Sequence, residues 1–99
     1  MKIAFVVHNE HYAERVLDVL RSAGIDYFTR WDRAIGKGPG TEPHLGRGTY
    51  ASTNSVMMIA FRDDGPLEAL IQKITAQNAE IKRPADRIRL FQLPLERIV

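Results

Sequence analysis

An α+β fold with the element order β-α-β-β-α-β is predicted by three features of this 99-residue sequence. Four short runs are rich in apolar, aromatic and β-branched residues, and two stretches carry apolar residues at helical spacing. The six follow one another without a dividing linker or an internal repeat, as one domain spanning residues 1–99. The first run, Met1 to His8 (MKIAFVVH), reads as a strand. Asn9 is a good helix N-cap, because its side-chain oxygen can accept an unpaired backbone N–H. Ala13, Val16, Leu17 and Leu20 then fall on one helical face, and Ala23-Gly24 ends the element. Ile25 to Trp31 (IDYFTRW) is predicted as the second strand, with Tyr27 and Trp31 packing on one of its faces. Ala34 to Asn54 holds five glycines and two prolines, which predicts a long mobile loop. Ser55 to Phe61 (SVMMIAF) is the third strand, and Arg62 to Gly65 is a turn in which Asp63-Asp64 serves as a cap. Pro66 suits the first helical position, where its missing N–H costs nothing. Leu67, Leu70, Ile71 and Ile74 form the stripe of the second helix, Lys82 to Asp86 breaks it, and Ile88 to Leu93 is the fourth strand.

This is the ferredoxin-like plan: a four-stranded antiparallel sheet with two helices on one face and a long loop between strands 2 and 3. It puts strands 1 and 3 at the sheet centre, and those two are apolar at almost every position, whereas strands 2 and 4 alternate with polar residues. Strand periodicity sends Ile3, Phe5 and Val7 to one face and Ala4 and Val6 to the other. Likewise Val56, Met58 and Ala60 oppose Met57, Ile59 and Phe61. Two helices cover only one face, and strands apolar on both sides are normally buried on both. The sequence therefore predicts that the chain associates with copies of itself through the open face.

Composition narrows the function. Apolar residues make up 44 % and charged residues 26 %, as in an ordinary soluble domain, and no run approaches the ~18 apolar residues of a membrane span. Met1 to His8 lacks the basic region and cleavage site of a signal peptide, so a cytoplasmic chain is expected. With no cysteine there is no disulfide, thiol nucleophile or thiolate metal site. A net charge of +2 is too small for a dedicated nucleic-acid binder, but ten of the fourteen basic residues are Arg, which grips phosphates and carboxylates with two parallel bonds.

Two segments stand out. The loop opens Ile35-Gly36-Lys37-Gly38-Pro39-Gly40, and glycines let successive backbone N–H groups approach an anion. It is no Walker A loop, because the Lys-Ser/Thr ending is missing and no helix follows. Lys82, Arg83, Arg87 and Arg89, with the single anion Asp86, enter the fourth strand, and Arg87 and Arg89 project to one side as a fork for phosphate or carboxylate. Brought together across a subunit boundary, the two segments would form a cationic pocket for an anionic metabolite or nucleotide. His8, His11 and His44 could hold a divalent metal, but without a dense ligand cluster they read as surface histidines. No Gly-x-Ser-x-Gly nucleophile motif is present, and the chain is expected not to be an enzyme.

Four stretches in order, KIAFVV, GIDYFT, IGKGPG and RIRLFQLPLERIV, resemble the nitrogen-regulatory P-II signal transduction proteins and their PII-like relatives. The resemblance implies a compact homotrimer with its sheets facing inward. It also implies ATP, ADP or another anionic effector in the inter-subunit clefts, with no required cofactor. The long loop would report ligand state to a protein target such as a transporter or enzyme. By position, Thr29, Gly36, Lys37 and Gly38 resemble the loop-side contacts of the family, and Arg87 and Arg89 lie near its phosphate-side contacts. Tyr50 is near a tyrosine that some members have modified. The classical members carry Gly-Asp-Gly-Lys before the fourth strand, where this chain has Lys82 to Arg87, so a divergent PII-like protein is the closer likeness. A second resemblance is to the CutA divalent-cation tolerance family, with the same subunit plan and trimeric state. The acylphosphatases rank below both, because His8-Asn9-Glu10-His11 stands where they need a phosphate-cradling Arg loop.

Overall fold

Two strands apolar on both faces form the centre of the sheet. In the computed structural model, which describes residues 1–39, 43–46 and 52–99, β1 (Lys2–Asn9) and β3 (Asn54–Phe61) pair antiparallel. β2 (Thr29–Ala34) pairs with β3 at one edge and β4 (Arg89–Pro94) with β1 at the other, giving the order β2-β3-β1-β4. The helices α1 (Ala13–Ser22) and α2 (Asp64–Glu80) complete the ferredoxin-like arrangement. Among the described residues, no helix is long and apolar enough to cross a membrane.

The core lies between the helices and one sheet face. Ala4, Val6, Met57, Ile59 and Phe61 point into it and are at most 1 % exposed. Val16, Val19 and Leu20 from α1 and Leu67, Leu70 and Ile74 from α2 close over them. Among the described residues, no helix lies on the other face. Register pairs Ile3 with Ala60 and Leu93, Phe5 with Met58 and Phe91, and Val7 with Val56 and Arg89. Trp31 and Thr29 extend this face across β2, opposite Val56 and Met58. Trp31, Phe91 and Leu93 are each about half exposed, at 49 %, 51 % and 47 %.

Several boundaries differ from the sequence reading, each for a local reason. Asn9 caps as expected, its side-chain oxygen accepting the His11 N–H at 3.0 Å, but it caps a 3-10 turn, Glu10–Tyr12, that precedes α1. α1 ends in a Schellman motif: the Ile25 N–H reaches the Leu20 carbonyl and the Gly24 N–H reaches Arg21, with Gly24 at φ +76°. This turn drives Ile25 into the core, so residues 25–28 become an anchored connection and the strand begins only at Thr29. Tyr27 accordingly meets Phe61 edge-on at 6.2 Å from outside the strand, and does not pack beside Trp31. A bulge between Trp31 and Ala34, with Arg33 at φ +58°, then carries β2 further. α2 starts at Asp64, leaving Pro66 within the first turn, where N–H groups have no helical partner. Asp63 holds the cap position but makes no side-chain cap bond.

The basic segment folds into a 3-10 turn, Pro84–Asp86, before β4. Asn78, near the end of α2, holds the chain in place as it enters that strand. Its amide donates to the Ile88 carbonyl at 2.7 Å and its oxygen accepts the Ile88 N–H at 2.8 Å. Asn78→Ala leaves both backbone groups of the buried Ile88 without these partners, at a cost of about 1–3 kcal/mol. A drop in melting temperature of at least about 4 °C, followed by circular dichroism, is the expected result.

Candidate functional site

The glycine-rich loop and the basic segment meet at one end of the sheet, where β1 and β3 leave and enter it and β4 begins. The base of the loop is a small antiparallel bridge. Gly36 donates its N–H to the His44 carbonyl at 2.8 Å, and His44 returns its own to Gly36 at 2.6 Å. Gly46 donates to Ser52 and Glu10 to Thr53, so the described part of the loop base is hydrogen-bonded to its surroundings. A side chain at Gly36 would meet the Asn54 amide at 3.3 Å, which keeps the backbone open there.

Between these parts lies a cavity of about 240 Å³. Gly36, Lys37 and Gly38 wall it from the loop, and Ala85, Arg87 and Arg89 wall it from the basic segment. Val7, His8, Asn9, Asn54, His44 and Phe91 complete the lining. The charged members of this wall are all cations, and all three are exposed at their tips. The sequence reading put the encounter of loop and basic segment across a subunit boundary; a single chain brings them together. The Arg87 side chain is oriented by a long hydrogen bond from its Nε to the Ile81 carbonyl, 3.4 Å.

Asp86 braces the cavity from behind. Its Oδ1 accepts from the Asn9 amide at 3.4 Å and lies 4.0 Å from His44 Nε2, while Oδ2 is 3.8 Å from Arg83 Nε. His44 Nδ1 donates to Asn54 Oδ1 at 2.6 Å. Loop base, β3 and basic segment are therefore joined through His44 and Asp86.

Two of the three histidines are not surface residues. His8 is 2 % and His44 8 % exposed, and both line the cavity, whereas His11 is exposed on the 3-10 turn. β1 carries its buried alternation one step further than the apolar residues show, so His8 follows Ala4 and Val6 to the covered face. Thr29 lies on the open face opposite Met58, and Arg83 is on the outer side of Asp86; neither lines the cavity. Among the described residues, no group of three His, Cys, Asp or Glu is placed to hold a metal ion. Tyr50 falls outside the described residues. Val7, Asn54 and Phe91 are lining residues that sequence reading missed. The signal was available in the register, which puts Val7 beside Arg89 and Phe91 two residues on along the same face.

Burial pushes the His8 imidazole below its usual pKa, opposed by the bond from Nδ1 to the Asn9 carbonyl, 2.8 Å. The folded chain thus refuses a proton that the unfolded chain takes up below about 6.5. The stability this contributes is complete above that pH and is lost as pH falls toward the folded value. Melting temperatures compared between pH 7.5 and 5.5 should decline, and His8→Phe should flatten that part of the profile. On the same strand end, Arg30 binds the Asp32 carboxylate at 2.7 Å and the buried Ser55 hydroxyl donates to it at 2.7 Å, which together lower the Asp32 pKa.

No protein-family model and no curated protein matches the sequence. Solved structures do match the fold. CPII from Thiomonas intermedia K12, bound to ADP and bicarbonate, superposes with a TM-score of 0.68 at 14 % identity, over 97 % of this chain and 88 % of that one. A second structure of CPII, a nitrogen regulatory PII-like protein, bound to ADP, AMP and bicarbonate, gives 0.61 at 15 % identity over 99 % and 94 %. A candidate PII-like signalling protein from Thermus thermophilus gives 0.59 at 13 % identity over 93 % and 83 %. At these identities the likeness is one of fold, and the fold is that of the PII-like proteins.

Proposed function

We propose that this chain is a divergent PII-like regulatory protein, non-catalytic and homotrimeric. It binds a small anionic effector beside Gly36, Lys37, Gly38, Arg87 and Arg89, and it signals to a protein target through the 34–54 loop. The observation that carries the reading is the cavity itself. It has cations and glycine backbone on its walls, in a fold whose solved neighbours hold ADP and bicarbonate. The apolar open face supports assembly, since Ile3, Phe5, Met58, Phe91 and Leu93 need covering. Packing three such faces together brings each cavity, which lies at an end of the sheet beside Arg89 and Phe91, close to a neighbouring chain. Nucleotide phosphates suit Arg87, Arg89 and Lys37, and Phe91 and Val7 offer an apolar surface to a base.

Titration calorimetry with ADP, ATP, AMP, cyclic AMP and hydrogencarbonate tests the reading. At least one should bind with measurable heat. Silence from all of them removes the sensing function.

A further inference from the structure

We infer that anion binding in the cavity and assembly of the chain are coupled through Arg89, so that the anion strengthens the trimer and the trimer strengthens anion binding. This rests on the anionic-effector and trimer readings above and names the regulation of that same site. Arg89 belongs to both surfaces. On β4 it alternates with Phe91 and Leu93 onto the open face, and register sets it beside Val7, in line with Ile3 and Phe5. It also lines the cavity, together with Val7 and Phe91 from that same face. Cavity and apolar face therefore share a margin made of these three residues.

Charge gives that margin its consequence. Among the open-face positions of β1, β3 and β4, Arg89 alone is charged. In the single chain its guanidinium is exposed and makes no ion pair or side-chain hydrogen bond with the described residues. Closing three open faces on one another withdraws water from it, and an unpaired charge losing its water opposes association. An anion in the cavity supplies the missing partner, since a guanidinium grips phosphate through two parallel bonds. The empty trimer is opposed three times, once per copy, and the filled trimer is not. Linkage is reciprocal: an anion that favours the trimer is bound more tightly by the trimer than by one chain.

Sedimentation of the full chain over a dilution series, with and without inorganic pyrophosphate at constant ionic strength, reads the coupling. Pyrophosphate should lower the chain concentration at half-assembly by at least about tenfold. Arg89→Met, apolar and of similar length, should assemble at the lower concentration without any anion and lose the response to pyrophosphate. Arg21→Met on α1 makes the same change in net charge away from the open face and should shift neither. If the wild type stays assembled at every dilution, subunit exchange between tagged and untagged trimers takes its place, and pyrophosphate should slow it at least about tenfold. Pyrophosphate that binds by calorimetry yet leaves assembly and exchange within about twofold overturns the coupling while leaving the anion site standing. So does an Arg89→Met chain that still responds. Absence of pyrophosphate binding removes the anion site, a chain that stays single throughout removes the trimer, and either result takes the coupling with it.

Discussion

Met58→Lys is expected to leave the subunit folded and to break the assembly into single chains. Met58 sits in the middle of the open face, with Phe5 opposite it on one side and Thr29 on the other. In an isolated subunit that position is only half buried, and a lysine there can extend its ammonium to water. In the proposed trimer with inward-facing sheets the same ammonium would enter an apolar interface, and would do so three times. An unpaired charge taken out of water costs several kcal/mol, and three of them oppose the apolar burial holding the subunits. Sedimentation velocity should show the wild type at three times the 11.2 kDa chain mass and the variant at one. The variant's circular dichroism should be unchanged. A trimer that survives the lysine places the interface elsewhere.

The second large effect is expected at the cationic wall. Arg87 and Arg89 both line the cavity and both are exposed, so Arg87→Ala/Arg89→Ala removes charge from the site without opening the core. A charge-assisted hydrogen bond contributes about 1.5–3 kcal/mol, and losing two should weaken effector binding at least about 100-fold. The melting temperature should change little, because the Arg87 bond to the Ile81 carbonyl is long and Arg89 faces solvent. Calorimetry with the effector that binds the wild type measures the loss. Affinity within about threefold of wild type would put the anion elsewhere.

The sequence was most legible where one interaction dominates. Strands 1 and 3 announce themselves because apolar residues occupy both of their faces, and that places them at the sheet centre. The helical stripes Val16-Leu20 and Leu67-Leu70-Ile74 are equally direct. Where two influences compete, the reading failed. Ile25 to Phe28 has strand-forming composition, but the Schellman turn at Gly24 uses Ile25 as an anchor before pairing can start. His8 is polar and so reads as surface, although its place in the alternation of β1 buries it. The glycine and arginine segments were identifiable by composition. Their convergence in one chain was not, because it depends on the β1–β4 register and on a three-residue turn that no hydrophobic pattern marks.

That turn has a mechanical consequence. Asp86 and Arg87 are consecutive residues, yet one faces the loop base through His44 and the other faces the cavity. The trans peptide between them holds their α-carbons about 3.8 Å apart. One three-residue turn and the residue after it therefore set the spacing between the base of the loop and the cationic wall.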